Sequence, residues 1–194
     1  MPSNRDKKLA IREKQILQAA LRLIERDGFA ELTMDALAAE AGIAKATLYQ
    51  HFANKEDLAV RSALRAFENL EAFVARLSGR AIVQLQAVFR YMMTAGQDPD
   101  AFPNSVMQPD MLVLFRDNAE LQAHFFRIYA TFRGMIEAAK ADGDIVPTLN
   151  NDIIINMLMG TAGLLKPNIT PSSTYSADEA LAQGLQILFR GLHP

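Results

Sequence analysis

Apolar residues recur every three or four positions along most of the chain, and the breaks between these runs outline a series of helices. From Leu9 to Asp27 the positions Ile16, Leu17, Ala20, Leu23 and Ile24 follow helical spacing. Gly28 then closes the helix as its C′ residue, and Phe29 packs back on it. Thr33 is a natural N-cap for a second helix, with Asp35 in the first turn, where the helix dipole favours a negative charge. Met34, Leu37, Ala38 and Ala41 form its inner face. Gly42 supplies the backbone freedom for a tight turn, with Ile43 as a core plug beneath it. A third, short helix is expected from about Ala44 to His51, burying Leu48 and Phe52. Asn54 caps a fourth, with Glu56 and Asp57 in its first turn, continuing through Leu58, Leu64, Phe67, Leu70, Phe73 and Leu77 to end near Gly79.

Further helices are expected over Ala81 to Thr94, Ala119 to Ala141, Asp152 to Leu165 and Asp178 to Gly191. Leu121, Phe125, Ile128, Phe132, Met135 and Ile136 make the stripe of the longest of these. The stretch around Pro103 and Pro109 is irregular or short-helical, and Pro167 and Pro171 sit in a Ser/Thr-rich loop. No repeat, low-complexity tract or convincing period-two strand interrupts the pattern. The expected fold is all-α, with a small N-terminal three-helix unit (residues 1–55) and a larger helical domain (residues 56–194).

Composition narrows this picture without naming a function. Half of the 194 residues are apolar and 22% are charged, so a substantial core can form and disorder is excluded. The absence of cysteine rules out disulfides and thiolate metal sites and fits a reducing compartment. The N-terminus lacks an apolar stretch of signal-peptide length, and Ile153 to Leu165 is too short to span a bilayer, so a cytoplasmic protein with no membrane partner is expected. Net charge is only −2, so any attraction to nucleic acid has to be local. Residues 1–14 carry five basic and two acidic side chains, which reads either as a solubilising terminus or as a local phosphate-attracting arm.

The segment Thr33 to Phe52, TMDALAAEAGIAKATLYQHF, is the most informative. A helix-turn-helix needs small residues where its helices cross, a tight turn, and a second helix whose exposed side enters the major groove. Ala38, Ala39, Ala41 and Gly42 meet the first two demands. With Leu48 and Phe52 inward, Lys45, Ala46, Thr47, Tyr49, Gln50 and His51 face outward or sideways, a mixture poorly suited to a core or a plain solvated face.

The run IAKATLYQHFANKEDL, with the preceding GFAELTMDALAAEAG, resembles the DNA-binding signature of TetR (tetracycline-repressor-type) transcriptional regulators over roughly residues 9 to 60. Around LFRDNAELQAHFF the chain is loosely similar to the AefR-like subgroup. The resemblance implies that Tyr49, His51, Lys55 and Thr33 contact phosphate, and that Lys45, Ala46, Thr47 and Gln50 read bases or the adjacent backbone. Chemically, hydroxyls and lysine suit phosphate, glutamine suits an adenine edge, and Ala46 or the Thr47 methyl suits a thymine methyl. One departure is Ala44, which stands where a serine often caps the third helix.

The resemblance also implies a homodimer on a double-stranded, palindromic operator, controlled by a small-molecule effector and needing no cofactor. The last two helices carry more apolar surface than one stripe needs: Ile154, Met157, Leu158, Leu164, Leu181, Leu185, Leu188 and Phe189 are the expected dimer interface, or else they complete the monomer core. Phe89, Met92, Met93, Phe102, Met107, Met111, Phe115, Phe126 and Tyr129 form a Met- and Phe-rich region that fits either an adaptable apolar effector pocket or packed core. Enzyme chemistry finds little support, because His51, His124 and His193 have no metal-ligand spacing and neither a GxSxG nor a phosphate-binding glycine loop occurs. The expectation is a ligand-responsive regulator, most simply a repressor released from its operator by a small, largely apolar effector. The alternative is a helical interaction or small-molecule-binding module without operator binding.

Overall fold

The computed structural model describes residues 4–94, 114, 116–164 and 175–193. Among these the regular elements are all helices: α1 (Asn4–Asp27), α2 (Met34–Glu40), α3 (Lys45–His51), α4 (Lys55–Val74), α5 (Ala81–Met93), α6 (Ala119–Ala141), α7 (Asn151–Leu164) and α8 (Ala177–Leu192). The chain therefore has the expected all-α architecture. Its contacts gather into two compact units: one takes the described residues up to Ala66 with Leu114 and residues 116–122, the other the described residues from Phe67 to 94 and from Ala123 onward.

In the first unit the apolar stripe of α1 (Ile16, Leu17, Ala20, Leu23, Ile24) packs with Phe29, Leu32, Leu37, Ala38, Leu48, Phe52, Leu58 and Ala59 in one core. Met34, Ala41, Ile43 and Leu114 pack partly buried against it. Each fully buried Leu, Ile or Phe contributes roughly 1.5–3 kcal/mol of transfer free energy, which is what holds such short helices as α2 and α3 in place. Two glycines set the chain direction. Gly28, at φ 88°, ends α1 and donates to the Ile24 carbonyl at 2.9 Å. Gly42 turns between α2 and α3 at φ 63°, where a side chain would meet no neighbour but would strain the backbone.

In the second unit α5, α6, α7 and α8 bury Leu85, Val88, Phe89, Met92, Ile128, Phe132, Ile136, Ile154, Ile155, Leu158 and Leu188. The Phe89 ring meets the edge of Phe189 at 6.4 Å, and Phe73 of α4 stacks on Tyr91 at 4.3 Å. Ion pairs Arg80–Asp144 and Arg133–Asp152 tie its elements from outside. A capping box starts α8: Glu179 N donates to Ser176 Oγ at 3.2 Å and Ser176 N donates back to the Glu179 carboxylate at 2.8 Å. The Ser176 N–H, with the Ser176 hydroxyl donating at 3.0 Å, holds the Glu179 carboxyl below its usual range.

Two boundaries differ from the pattern-based expectation. The first helix begins at Asn4 rather than Leu9, because its opening turns are too polar to show a stripe. The fourth ends at Val74 rather than near Gly79, where three-residue bonds from Arg76 to Phe73 and from Leu77 to Val74 tighten the chain out of the helix.

Burial divides the residues of the expected interface. Ile154, Leu158, Leu188 and Phe189 are buried within the single chain. The large apolar side chains that α7 and α8 leave exposed are Ile153, Met157 and Ile187, the last at 71%. Leu181 and Leu185 are half-buried, and the side chain of Leu164 lies outside the described residues.

Candidate nucleic-acid interface

The interface begins with the cap of α2. Thr33 adopts an extended backbone (φ −121°, ψ 151°) and its Oγ1 accepts from Ala36 N at 3.1 Å. The cap uses the oxygen as acceptor, so the same exposed hydroxyl still has a hydrogen to donate. Ala44 occupies the equivalent position of α3, in extended conformation and without a side-chain cap. The third helix is therefore held by its buried face, with Leu48 at 0% and Phe52 at 1% exposure.

That packing decides what α3 presents outward. Lys45, Ala46, Tyr49 and Gln50 are exposed, Tyr49 at 49% despite its size. Thr47 and His51 are half-buried at the edges of the same helix. Lys45 and Tyr49 stand one turn apart, and across the α2–α3 turn the Lys45 ammonium lies 2.6 Å from Asp35 Oδ1. That hydrogen bond, with the neighbouring charge of Asp35, raises the lysine above its ordinary pKa. The structure thus joins the N-terminal turn of α2, bearing Thr33 and Asp35, to the start of α3.

Lys55 takes a different place. Its ammonium donates to the Ala30 carbonyl at 3.2 Å and sits 5.0 Å over the Phe29 ring, so it ties the start of α4 to the turn between α1 and α2. Beside it Asn54 Oδ1 caps Asp57 N at 2.7 Å, and Asp57 Oδ2 accepts from Ala53 N at 3.1 Å. Arg61 then bridges Asp57 at 3.3 Å and Glu13 at 3.1 Å while lying 5.2 Å over the Phe52 ring. The helix presented outward is in this way braced from α1 and α4. Sequence reasoning assigned Asp35 only a dipole role and Lys55 only a phosphate role. Pairings made across turns, ten and twenty-five residues away, leave no local signal.

Of the expected effector-pocket residues, Phe89 and Met92 are buried at 1% exposure. Met93 and Tyr129 are half-buried and Phe126 is exposed, whereas Phe102, Met107, Met111 and Phe115 lie outside the described residues. Burial, with Asp152 beside it, pushes the Tyr129 phenol above its usual range. Nearby in sequence, Glu71 receives His124 Nδ1 at 3.0 Å and Arg127 Nε at 3.1 Å, and Phe67 stacks on the histidine. An open groove of about 690 Å3 is lined by Gln86, Leu185, Gln186, Phe189, Arg190 and His193. Among the described residues no group of three or more His, Asp or Glu could hold a metal ion, and no helix is long and apolar enough to cross a membrane.

Residues 16–61 match the family model described as bacterial regulatory proteins, tetR family. The chain is similar to the HTH-type transcriptional repressor KstR of Rhodococcus jostii (strain RHA1), 29% identical over 96 residues, which is 50% of this chain but only 45% of that protein. It is also similar to the putative mycofactocin biosynthesis transcriptional regulator MftR of Mycobacterium tuberculosis (strain ATCC 25618 / H37Rv). There the identity is 24% over 179 residues, covering 91% of this chain and 89% of the relative. In fold it resembles AibR solved in complex with isovaleryl coenzyme A and operator DNA, with a TM-score of 0.70 and 20% identity over 92% of this chain and 98% of that one.

Proposed function

We propose that this chain, whose residues 16–61 match the tetR family of bacterial regulatory proteins, is a dimeric, ligand-responsive transcriptional repressor that reads a palindromic operator with α3. The single observation that carries this reading is the face of α3. A helix with Leu48 and Phe52 fully engaged in the core exposes Lys45, Ala46, Tyr49 and Gln50 together, on a support braced by α1 and α4. Residues 1–55 act as the reading head and residues 56–194 as the effector and dimer domain. Thr33, Tyr49, His51 and Lys55 bind phosphate, while Lys45, Ala46, Thr47 and Gln50 face the bases. The protein works in the cytoplasm and carries out no catalysis.

The effector is small and largely apolar, and it acts by favouring one state of the dimer, a coupling of typically ~1–3 kcal/mol. Isovaleryl coenzyme A, held by the structural relative AibR, is larger and far more polar, and makes acyl thioesters a second class to test. The lever is α4, whose residues through Ala66 belong to the first unit and whose residues from Phe67 belong to the second. Selection of duplexes from a randomised library, followed by a salt titration, tests the reading. Specific retention with a steep loss in salt is expected. Absence of binding that is indifferent to salt favours an interaction module instead. Unchanged DNA affinity across a broad ligand panel, acyl thioesters included, counts against ligand control.

A further inference from the structure

We propose that Asp35 is a specificity-determining positioning residue. It holds the Lys45 ammonium at the α2–α3 turn, withholding that charge from indiscriminate phosphate attraction and presenting it in a fixed place to a base edge. The inference rests on the reading of the chain as a DNA-binding regulator and names a residue which that reading leaves without a role.

The sequences of α2 and α3 contain two carboxylates. Glu40 lies 3.3 Å from Arg22 of α1, on the supporting side, whereas Asp35 lies 2.6 Å from Lys45, on the helix that reads DNA. Both side chains of the second pair are open to solvent, at 52% for Lys45 and 71% for Asp35. Solvent screening leaves so exposed a pair little weight in folding, so any role lies in where it places Lys45. Lys45 is the first residue of α3, behind an Ala44 that supplies no side-chain cap, and a cation at a helix N-terminus is opposed by the dipole. Asp35 offsets that placement from across the turn.

Lysine is a compact charge on a flexible stem. Unheld, its ammonium reaches any nearby phosphate and adds sequence-independent affinity. Held by Asp35, it has already given up that freedom and can donate to a guanine O6 or N7 presented at one position.

Equilibrium binding of the full chain to a duplex selected by the wild type, and to a scrambled duplex, over a range of salt, tests this. In D35N the released lysine neutralises a phosphate. The salt slope steepens by about 0.9 per subunit, binding to the scrambled duplex gains more than binding to the selected one, and their ratio falls by about tenfold. In a K45A background D35N leaves the ratio as it is. An unchanged slope and ratio in D35N, or the same change with and without Lys45, overturns the proposal. K45M provides an independent arm should D35N fail to fold. It lowers the ratio with the salt slope unaltered, because the charge it removes was already held. A slope shallower by about 0.9 per subunit in K45M overturns the proposal as well. A wild-type protein that selects no duplex at all refutes the DNA-binding reading rather than the role of Asp35.

Discussion

Tyr49 and Lys55 are both assigned to phosphate, yet the fold asks different things of them. Tyr49 is held only by its helix and leaves half its surface in solvent, so Tyr49→Phe removes a donor and little else. Affinity is expected to fall by about 1.5 kcal/mol per subunit, alike on selected and scrambled duplexes, with the melting temperature unchanged. Lys55→Ala loses its charge together with the Ala30 carbonyl bond and the Phe29 ring. Both affinity and thermal stability therefore fall, the latter by about 1 kcal/mol, and calorimetry beside a binding assay separates the two variants. At this scale the sequence showed which residue types lie in the segment. It did not show that Lys45 has Asp35 for a partner, because that pairing depends on the angle at which the Gly42 turn sets α3 on α2.

The short helices are decided at their ends. Thr33→Ala removes the cap of α2 and is expected to cost about 1 kcal/mol, with Thr33→Ser close to wild type, as read by denaturant midpoint. The reverse change is open at α3. Ala44 already has the extended backbone of an N-cap, at φ −68° and ψ 142°, so Ala44→Ser is expected to stabilise by about 0.5–1 kcal/mol without altering the fold. A lower midpoint for Ala44→Ser runs against that expectation. The caps Thr33 and Asn54 and the turn at Gly42 were legible because each follows from local backbone chemistry. The start of α1 at Asn4 was not, since its opening residues are polar and carry no apolar period to announce it.

For the whole molecule, burial separates residues that one periodicity groups together. Ile154, Met157, Leu158, Leu164, Leu181, Leu185, Leu188 and Phe189 all read as candidates for a dimer seam, but Ile154, Leu158, Leu188 and Phe189 are buried within the chain. Ile153, Met157 and Ile187 remain outward. Ile187→Asp is therefore expected to weaken self-association at least about tenfold while leaving helix content intact. Sedimentation that shows an unchanged dimer counts against α8 as the seam. Phe52→Ala, in contrast, opens the core beneath α3 and is expected to cost about 3–5 kcal/mol, so that DNA binding is lost together with the fold of the reading head.

The sequence by itself determined the all-α class, the positions of most helices and the helix-turn-helix segment within residues 16–61, which match the tetR family model. Those properties are written in local periodicity, capping chemistry and a compact motif. Only the tertiary structure decided which apolar side chains are buried, Phe89 and Met92 among them, and that Lys45 and Lys55 are each tied to partners distant in the chain. These outcomes depend on how helices meet across turns, a long-range geometry that a three-to-four-residue pattern does not encode.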